Sequence, residues 1–271
     1  MKFKLLCTDI DGTLLNKERK LSDHTISAIK RIHPQIPVVL ISSRMPKAMR
    51  HLQRSLGIEG TPMIAYNGGL ILHNSEVIET TEIELSALTT IVEWVKKTKI
   101  HLSVYHHDDW FVPTMDYWAQ REQNNTQVAP EVQTLAETLD SFKRKQSGVH
   151  KVMAMGDERE IEQLFDWLTA QYSEALHLYR SKPTYIEIAH KSISKETALK
   201  KLLVTKYPKV GMNEVIAFGD NYNDIAMLTA VGTGIAVANA KQEVLVIADE
   251  ITAANIEDGV AKSIRKYFLS P

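Results

Sequence analysis

The sequence holds one cysteine, Cys7, so an intrachain disulfide framework is excluded. It has no uninterrupted apolar run approaching ~20 residues, and no transmembrane helix is expected. It has no surplus of charge of either sign: 32 Lys and Arg stand against 33 Asp and Glu, a formal net charge of −1. A dedicated nucleic-acid binder would usually carry a basic excess, so no nucleic-acid partner is expected. Low-complexity tracts and internal repeats are absent, which removes solenoids and disordered arrays. Before Asp9 the chain offers only the short stretch 5–8 as an apolar segment, too little for a secretory signal. With the lone cysteine, this points to a cytoplasmic protein.

What is present is ordinary globular composition, 44% hydrophobic and 24% charged, over 271 residues. That length suggests about two domains and a substantial core. Residues 2–8 read as a buried strand ending in Asp9-Ile10-Asp11-Gly12-Thr13. A helix capped by Ser22 or Asp23 follows, with Ile26, Ile29 and Ile32 as its apolar stripe. Residues 36–41 form a second β-branched run, which ends in Ser42-Ser43-Arg44. Pro46 suits the first turn of the next helix, and residues 63–66 give a third strand before the turn Asn67-Gly68-Gly69.

The last eighty or so residues repeat this rhythm: a helix over 195–207, a strand over 215–218, a helix over 225–228, a strand over 234–237 and a closing helix over 257–268. Alternation of strands and helices predicts an α/β fold, a Rossmann-like parallel sheet with helices on both faces. Ligands of such sheets sit beyond the carboxyl ends of the strands, where the polar clusters fall.

The middle differs. Residues 84–188 hold 12 of the 19 aromatics, including all four tryptophans, but only 2 of the 12 glycines. The order there reads helix (85–97), strands (101–106 and 110–112), helix, strand (151–155), helix (158–170), strands (176–179 and 185–189). Adjacent strands predict antiparallel pairing, so this is an inserted α+β cap domain. Residues 1–83 and 189–271 then form a discontinuous core domain.

Two carboxylates at i and i+2 face opposite ways in a strand, yet past its end, in a turn relaxed by Gly12, Asp9 and Asp11 can share a site. Mg²⁺ takes hard oxygen ligands, and phosphoryl oxygens can complete its shell. One aspartate can attack phosphorus, and the other can move the proton. Asp220 and Asp224 form a second acidic pair in Gly-Asp-Asn-Tyr-Asn-Asp, and Asn223 can donate to an anion. Ser42 offers a hydroxyl to a phosphate oxygen, and Lys195 a point charge. Each has a plain alternative: an Asp/Gly turn for Asp9 and Asp11, helix capping for Asp224, an ordinary strand end for Ser42 and a solvated surface for Lys195. The combination favours chemistry, because several carboxylates at strand ends repel one another unless a cation sits among them.

These four segments together resemble the haloacid dehalogenase-like phosphohydrolases. Asp9-Ile10-Asp11-Gly12-Thr13-Leu14 is similar to that family's first motif, Ile41-Ser42-Ser43-Arg44 to its second, Ser194-Lys195 to its third and Gly219-Asp220-Asn221-Tyr222-Asn223-Asp224 to its fourth. Tyr66-Asn67-Gly68-Gly69, the segment 234–240 and Glu257-Asp258-Gly259-Val260-Ala261 resemble the Cof-type subgroup, which inserts a large cap between the second and third motifs.

The resemblance implies that Asp9 is nucleophile and Mg²⁺ ligand. It implies that Asp11 is general acid/base and offers its main-chain carbonyl to the metal, that Asp220 is the third protein ligand, and that Asp224 supports the metal shell directly or through water. Ser42, the amides of Ser43 and Ile10, Lys195 and Asn223 would hold the phosphoryl oxygens. The implied activity is hydrolysis of small phosphomonoesters, sugar phosphates or phosphorylated cofactors, by a monomer or weak homo-oligomer with no membrane partner. The alternatives are a sugar-phosphate phosphotransferase or mutase, and a non-catalytic sensor of a phosphorylated ligand.

Ser42 and Ser43 stand where the family has Thr and Gly, and Glu196 where it has Gly. Glu196 weakens phosphate binding if it turns inward; on a helix's first turn it is expected to face solvent. In the middle segment, the two histidines and two aspartates of His106-His107-Asp108-Asp109-Trp110 could suggest a second metal site, but neighbours on a strand point apart and no further ligand sits at a helical spacing. The segment reads as a polar hairpin turn, with a substrate-contacting edge of the cap as the alternative. Tyr117, Trp118 and Arg121 are expected to pack or to line a cleft. The run Lys143-Arg144-Lys145 reads as a solvated loop.

Overall fold

The computed structural model describes residues 2–269. The chain opens with β1 (Leu5–Thr8), α1 (Asp23–Ile32), β2 (Val38–Ile41), α2 (Lys47–Leu56), β3 (Met63–Ala65), β4 (Leu70–His73) and β5 (Glu76–Thr80). The middle runs through α3 (Leu85–Val95), β6 (His101–His106), β7 (Asp109–Val112), α4 (Tyr117–Thr126), β8 (Glu131–Val132), α5 (Leu135–Lys145), β9 (Lys151–Met155), α6 (Glu158–Tyr172), β10 (Leu176–Lys182) and β11 (Tyr185–His190). The last part holds α7 (Lys195–Lys206), β12 (Val215–Gly219), α8 (Ile225–Ala230), β13 (Thr233–Val237), α9 (Gln242–Ile247), β14 (Glu250–Thr252) and α10 (Gly259–Ile264). The chain divides into two compact units, one of residues 1–44, 49–79 and 194–271, the other of 45–48 and 80–193.

The first unit is built on an eight-stranded sheet in the order β14-β13-β12-β1-β2-β3-β4-β5. Six of these strands, from β14 to β3, are parallel, and β4 turns back antiparallel to β3. The expected parallel sheet thus gains an antiparallel edge. Its source is the run 70–72, which returns beside β3 through a turn of one 3-10 helix. Strands β1, β2, β12 and β13 are buried along their whole length, because helices cover both faces of a parallel sheet. Leu5, Cys7, Val39, Ile41 and Ala217 pack on α7 and α8 through Leu199, Leu202, Met227 and Leu228. Ser22 caps α1 by accepting the Thr25 N–H at 3.1 Å, which contributes about 1 kcal/mol to that helix. The closing helix is shorter than expected. It starts at Gly259, after Asp258 in a left-handed conformation (φ 59°), and runs into a π turn over Arg265–Leu269.

The second unit has a six-stranded sheet in the order β10-β11-β9-β6-β7-β8, antiparallel except for the β7–β8 pair. Leu102, Val104, Val152, Ala154, Ile186 and Ile188 alternate along β6, β9 and β11 and meet the apolar stripes of α3, α5 and α6. Between β7 and β9 lie two helices and a short strand, where a single helix was expected. Asp116 caps the first, accepting the Trp118 and Ala119 N–H groups, and Thr134 opens the second with a reciprocal capping box to Glu137. Lys143, Arg144 and Lys145 close α5 and are not a loop; three cations suit the negative end of a helix. Tyr117 is exposed, and Arg121 lies 6.0 Å above the Trp118 ring. Among the described residues, no helix is long and apolar enough to cross a membrane.

Candidate active site

The chain runs from β1 outward through β2 and β3, and later from β12 outward through β13 and β14 on the other side of β1. The direction of winding therefore reverses between β1 and β12, and a parallel sheet leaves a crevice at the carboxyl ends there. Asp9 follows β1, and its N–H still bonds Phe218 O at 3.0 Å. Asp220 follows β12. Ser42 follows β2, with its N–H on Ile64 O at 3.0 Å. The sheet ladder thus fixes the backbone of the residues that leave it.

Ile10 is fully buried, and its carbonyl accepts the N–H groups of Leu14 and Leu15, both at 3.0 Å. This folds the segment after β1 into a tight turn. Gly12 sits in it at φ +85°, where a Cβ would lie 2.4 Å from Asp220 Oδ2. Only glycine allows both the left-handed backbone and the close approach of the two acidic turns. Thr13 Oγ1 donates to Asp220 Oδ1 at 2.8 Å, and Asn239 Nδ2 donates to the Gly12 carbonyl at 2.8 Å.

Lys195 opens α7 behind the Ser194 cap, and its side chain is fully buried. Its ammonium donates to Asp9 Oδ1 and, at 2.6 Å, to Asp224 Oδ1. Asp224 is fully buried as well, and its Oδ2 accepts the N–H groups of Asp220 and Asn221, each at 3.0 Å. It does not cap α8 with its side chain. It anchors Lys195 on one side and the β12 loop on the other.

Donor oxygens of Asp9, Asp220 and Asp224 lie within 4.8 Å of one another. Three carboxylates face one ammonium, which leaves a buried excess of negative charge. Burial raises the Asp9 carboxyl well above the carboxylate range against the pull of Lys195. Burial, aided by the charge of Asp224, pushes Asp220 up to about 6. Burial opposes the charge on Lys195, but Asp224 and Asp9 outweigh it and hold its ammonium firmly protonated. An all-oxygen, over-anionic pocket of this kind fits a hard dication.

Asp11 stands apart from that cluster. Arg44 grips both its oxygens, and Arg19 Nη1 reaches Oδ1 at 3.1 Å. Burial works to raise the Asp11 carboxyl, yet Arg44 and Arg19 outweigh it and hold the group below its usual range. Ser42 is buried, and its hydroxyl accepts the Arg44 N–H at 3.2 Å; Ser43 is half-buried in the same turn. Asn223 Nδ2 donates to Asn67 Oδ1 at 3.0 Å. Asn67 is held in reach by a left-handed turn in which Gly68 (φ +111°) passes so close to Ser194 that a Cβ would lie 2.7 Å from its carbonyl. Glu196 turns away from the cluster and pairs with Lys200 one helical turn on.

Asp9, Asp220, Asp224 and Lys195 are therefore brought together, with Ser42 and Asn223 on loops at the same sheet edge. Thr13, Arg19 and Asn67 were not singled out as site residues from the sequence. Thr13 and Asn67 lie inside motifs already quoted, so their positions were visible while their partners were not.

Residues 6–264 match the family model for a haloacid dehalogenase-like hydrolase. A Haemophilus influenzae protein with a provisional phosphatase name is 31% identical over 274 residues, covering 99% of each chain. The pyridoxal phosphate phosphatase YbhA of Escherichia coli is 28% identical, covering 99% of this chain and all of its own. A crystal structure of a haloacid dehalogenase-like hydrolase from Bacteroides thetaiotaomicron superposes with a TM-score of 0.89 at 27% identity, over 98% of this chain and 100% of that one. The matched span takes in both halves of the acidic cluster, and the chain belongs to the haloacid dehalogenase-like hydrolases.

Proposed function

We propose that the protein is a Mg²⁺-dependent hydrolase of small phosphomonoesters that works through a phosphoryl group on Asp9. The observation that carries this reading is the placement of Lys195 between Asp9 and Asp224, with Asp220 alongside, at the carboxyl ends of β1 and β12. Asp9 and Asp220, with the Asp11 carbonyl, would hold the ion, and Asp224 would keep Lys195 and the β12 loop in place. When bound, the ion supplies positive charge to offset that of the phosphoryl oxygens.

In this reading an Asp9 carboxylate oxygen attacks phosphorus in line with the ester oxygen. The P–O ester bond breaks, and the departing oxygen takes a proton from Asp11. Asp11, once deprotonated, then removes a proton from water as that water attacks the phosphorus on Asp9. Inorganic phosphate leaves, and both aspartates return to their starting states. Lys195, Ser42, Asn223 and the amides of Ile10 and Ser43 hold the equatorial oxygens, where charge stabilisation contributes most to phosphoryl transfer. The arginine grip on Asp11 favours its role as base. To act as acid it must first leave Arg44 and take up a proton.

The substrates are small phosphates, sugar phosphates or phosphorylated cofactors. The pyridoxal phosphate named for the Escherichia coli relative lies within that class. Residues 80–193 would select among them, and a cytoplasmic setting suits such substrates. The test is phosphate release from a panel of sugar phosphates, nucleotides and cofactor phosphates, with Mg²⁺ and with chelator, for wild type and Asp9→Asn. Release that needs Mg²⁺ and vanishes in the variant is expected. Release unaffected by chelator or by Asp9→Asn would overturn the reading.

A further inference from the structure

The cluster around His106 and His107 takes no part in the chemistry described so far. His106 is the last residue of β6, and His107 opens the turn to β7. Alternation along a strand would send their side chains to opposite faces. His107, however, has φ +50°, a left-handed conformation that bends the chain back, and the two rings lie with centroids 4.5 Å apart. Glu82 reaches the same spot from the segment before α3. The Gly148 N–H fixes its Oε2 at 2.8 Å, while Oε1 lies 3.2 Å from His106 Nε2. One donor atom each from Glu82, His106 and His107 falls within 4.8 Å of the others, and all three residues are half-buried.

We propose that Glu82, His106 and His107 form a second metal site, for a borderline first-row dication of the zinc type. Two imidazoles and a carboxylate suit zinc, nickel or copper and are a poor match for Mg²⁺. Ligands about 2.0–2.1 Å from a tetrahedral ion stand about 3.3 Å from one another. The Glu82–His106 separation of 3.2 Å already has that value. The His107 donor lies within 4.8 Å of the other two, and water can complete the shell.

His150 braces the site without belonging to it. Its ring lies 5.0 Å from each of the other two, its Nδ1 accepts the His107 N–H at 3.2 Å, and its Nε2 faces Thr80 Oγ1 at 3.0 Å. The first contact holds the left-handed turn that sets His107 beside His106. The Phe142 ring packs edge-on 5.3 Å from His106 and walls one side. Lys145, whose ammonium lies 5.9 Å above the Phe142 ring, places a positive charge near His106 that the Glu82 carboxylate offsets.

The test is equilibrium dialysis of the full chain against Zn²⁺ in excess Mg²⁺, with bound zinc counted by atomic emission. Wild type, Asp220→Asn, His107→Ala and Glu82→Gln are compared. One zinc per chain is expected in wild type and in Asp220→Asn. Affinity about tenfold weaker or worse is expected in the other two. Glu82→Gln keeps an acceptor for Gly148, so it decides the matter if His107→Ala fails to fold. Substitution with Co²⁺ should give visible d–d absorption in wild type that Glu82→Gln loses. No zinc on wild type, equal retention by Glu82→Gln, or loss confined to Asp220→Asn would each overturn the proposal. Because the readout is binding, its failure leaves the phosphatase reading untouched.

Discussion

Arg44 holds the Asp11 carboxylate with two parallel hydrogen bonds, Nε to Oδ2 at 2.6 Å and Nη2 to Oδ1 at 2.7 Å. The two residues are 33 apart in sequence and meet because β1 and β2 are neighbours in the sheet. Arg44 is itself buried, so the pair is fixed by packing as well as by charge.

Arg44→Lys should therefore lower kcat by about tenfold or more while moving KM little, because a point charge cannot reproduce the two-pronged grip that keeps Asp11 ionised and aimed as the base when water attacks. Arg44→Ala should do the same more severely. Steady-state kinetics on a small phosphomonoester check this. An unchanged kcat in both variants would mean that Arg44 does not orient Asp11.

Lys195→Met should destabilise the protein by about 3–5 kcal/mol, since it leaves Asp9 and Asp224 buried without their cation. Urea unfolding in the presence of chelator measures it. A second change, Asp224→Asn, should restore part of the loss, because it removes one of the two stranded charges.

Gly12→Ala should abolish most activity with a smaller loss of stability, about 1–2 kcal/mol for the left-handed backbone. The added Cβ forces Asp220 out of place, so a loss of metal affinity, measured by titration with Mg²⁺, should accompany the loss of turnover.

Buried His101 sits 2.8 Å from Asp116 and 3.0 Å from Ser103, and burial outweighs the Asp116 charge to hold it below the usual histidine range. The folded state keeps it neutral where the unfolded chain binds a proton. Its contribution is complete above the unfolded pKa of about 6.5 and is lost as pH falls below that value. His101→Gln should flatten the decline in unfolding free energy between about pH 7 and 5, by at most about 1.4 kcal/mol per pH unit. An identical slope in both proteins would contradict the assignment.

Three of the four motifs were legible because each lies where a strand's apolar run breaks into polar residues, and a parallel sheet puts such breaks at one edge; Lys195 instead opens α7 behind the Ser194 cap. Asp9, Ser42 and Asp220 needed only local reading. The partner of Asp11 did not, since Arg44 depends on which strands become neighbours. The β4–β5 hairpin was missed because 70–72 is a three-residue apolar run and the Asn74 turn carries no glycine. Strand β14 and helix α9 are too short to show a period. The hairpin turn between His106 and Asp109 formed as read, but the His107 ring was misplaced, because alternation holds only while the backbone stays extended and its positive φ breaks that rule.

The most direct test of the central claim is acid quenching during turnover, followed by mass spectrometry of the peptide that contains Asp9. A phosphoryl group on Asp9 in wild type, labile to hydroxylamine and absent from Asp9→Asn, is the predicted result. Full turnover with no phosphoryl group on Asp9 at any quench time, and normal activity in Asp9→Asn, would contradict it.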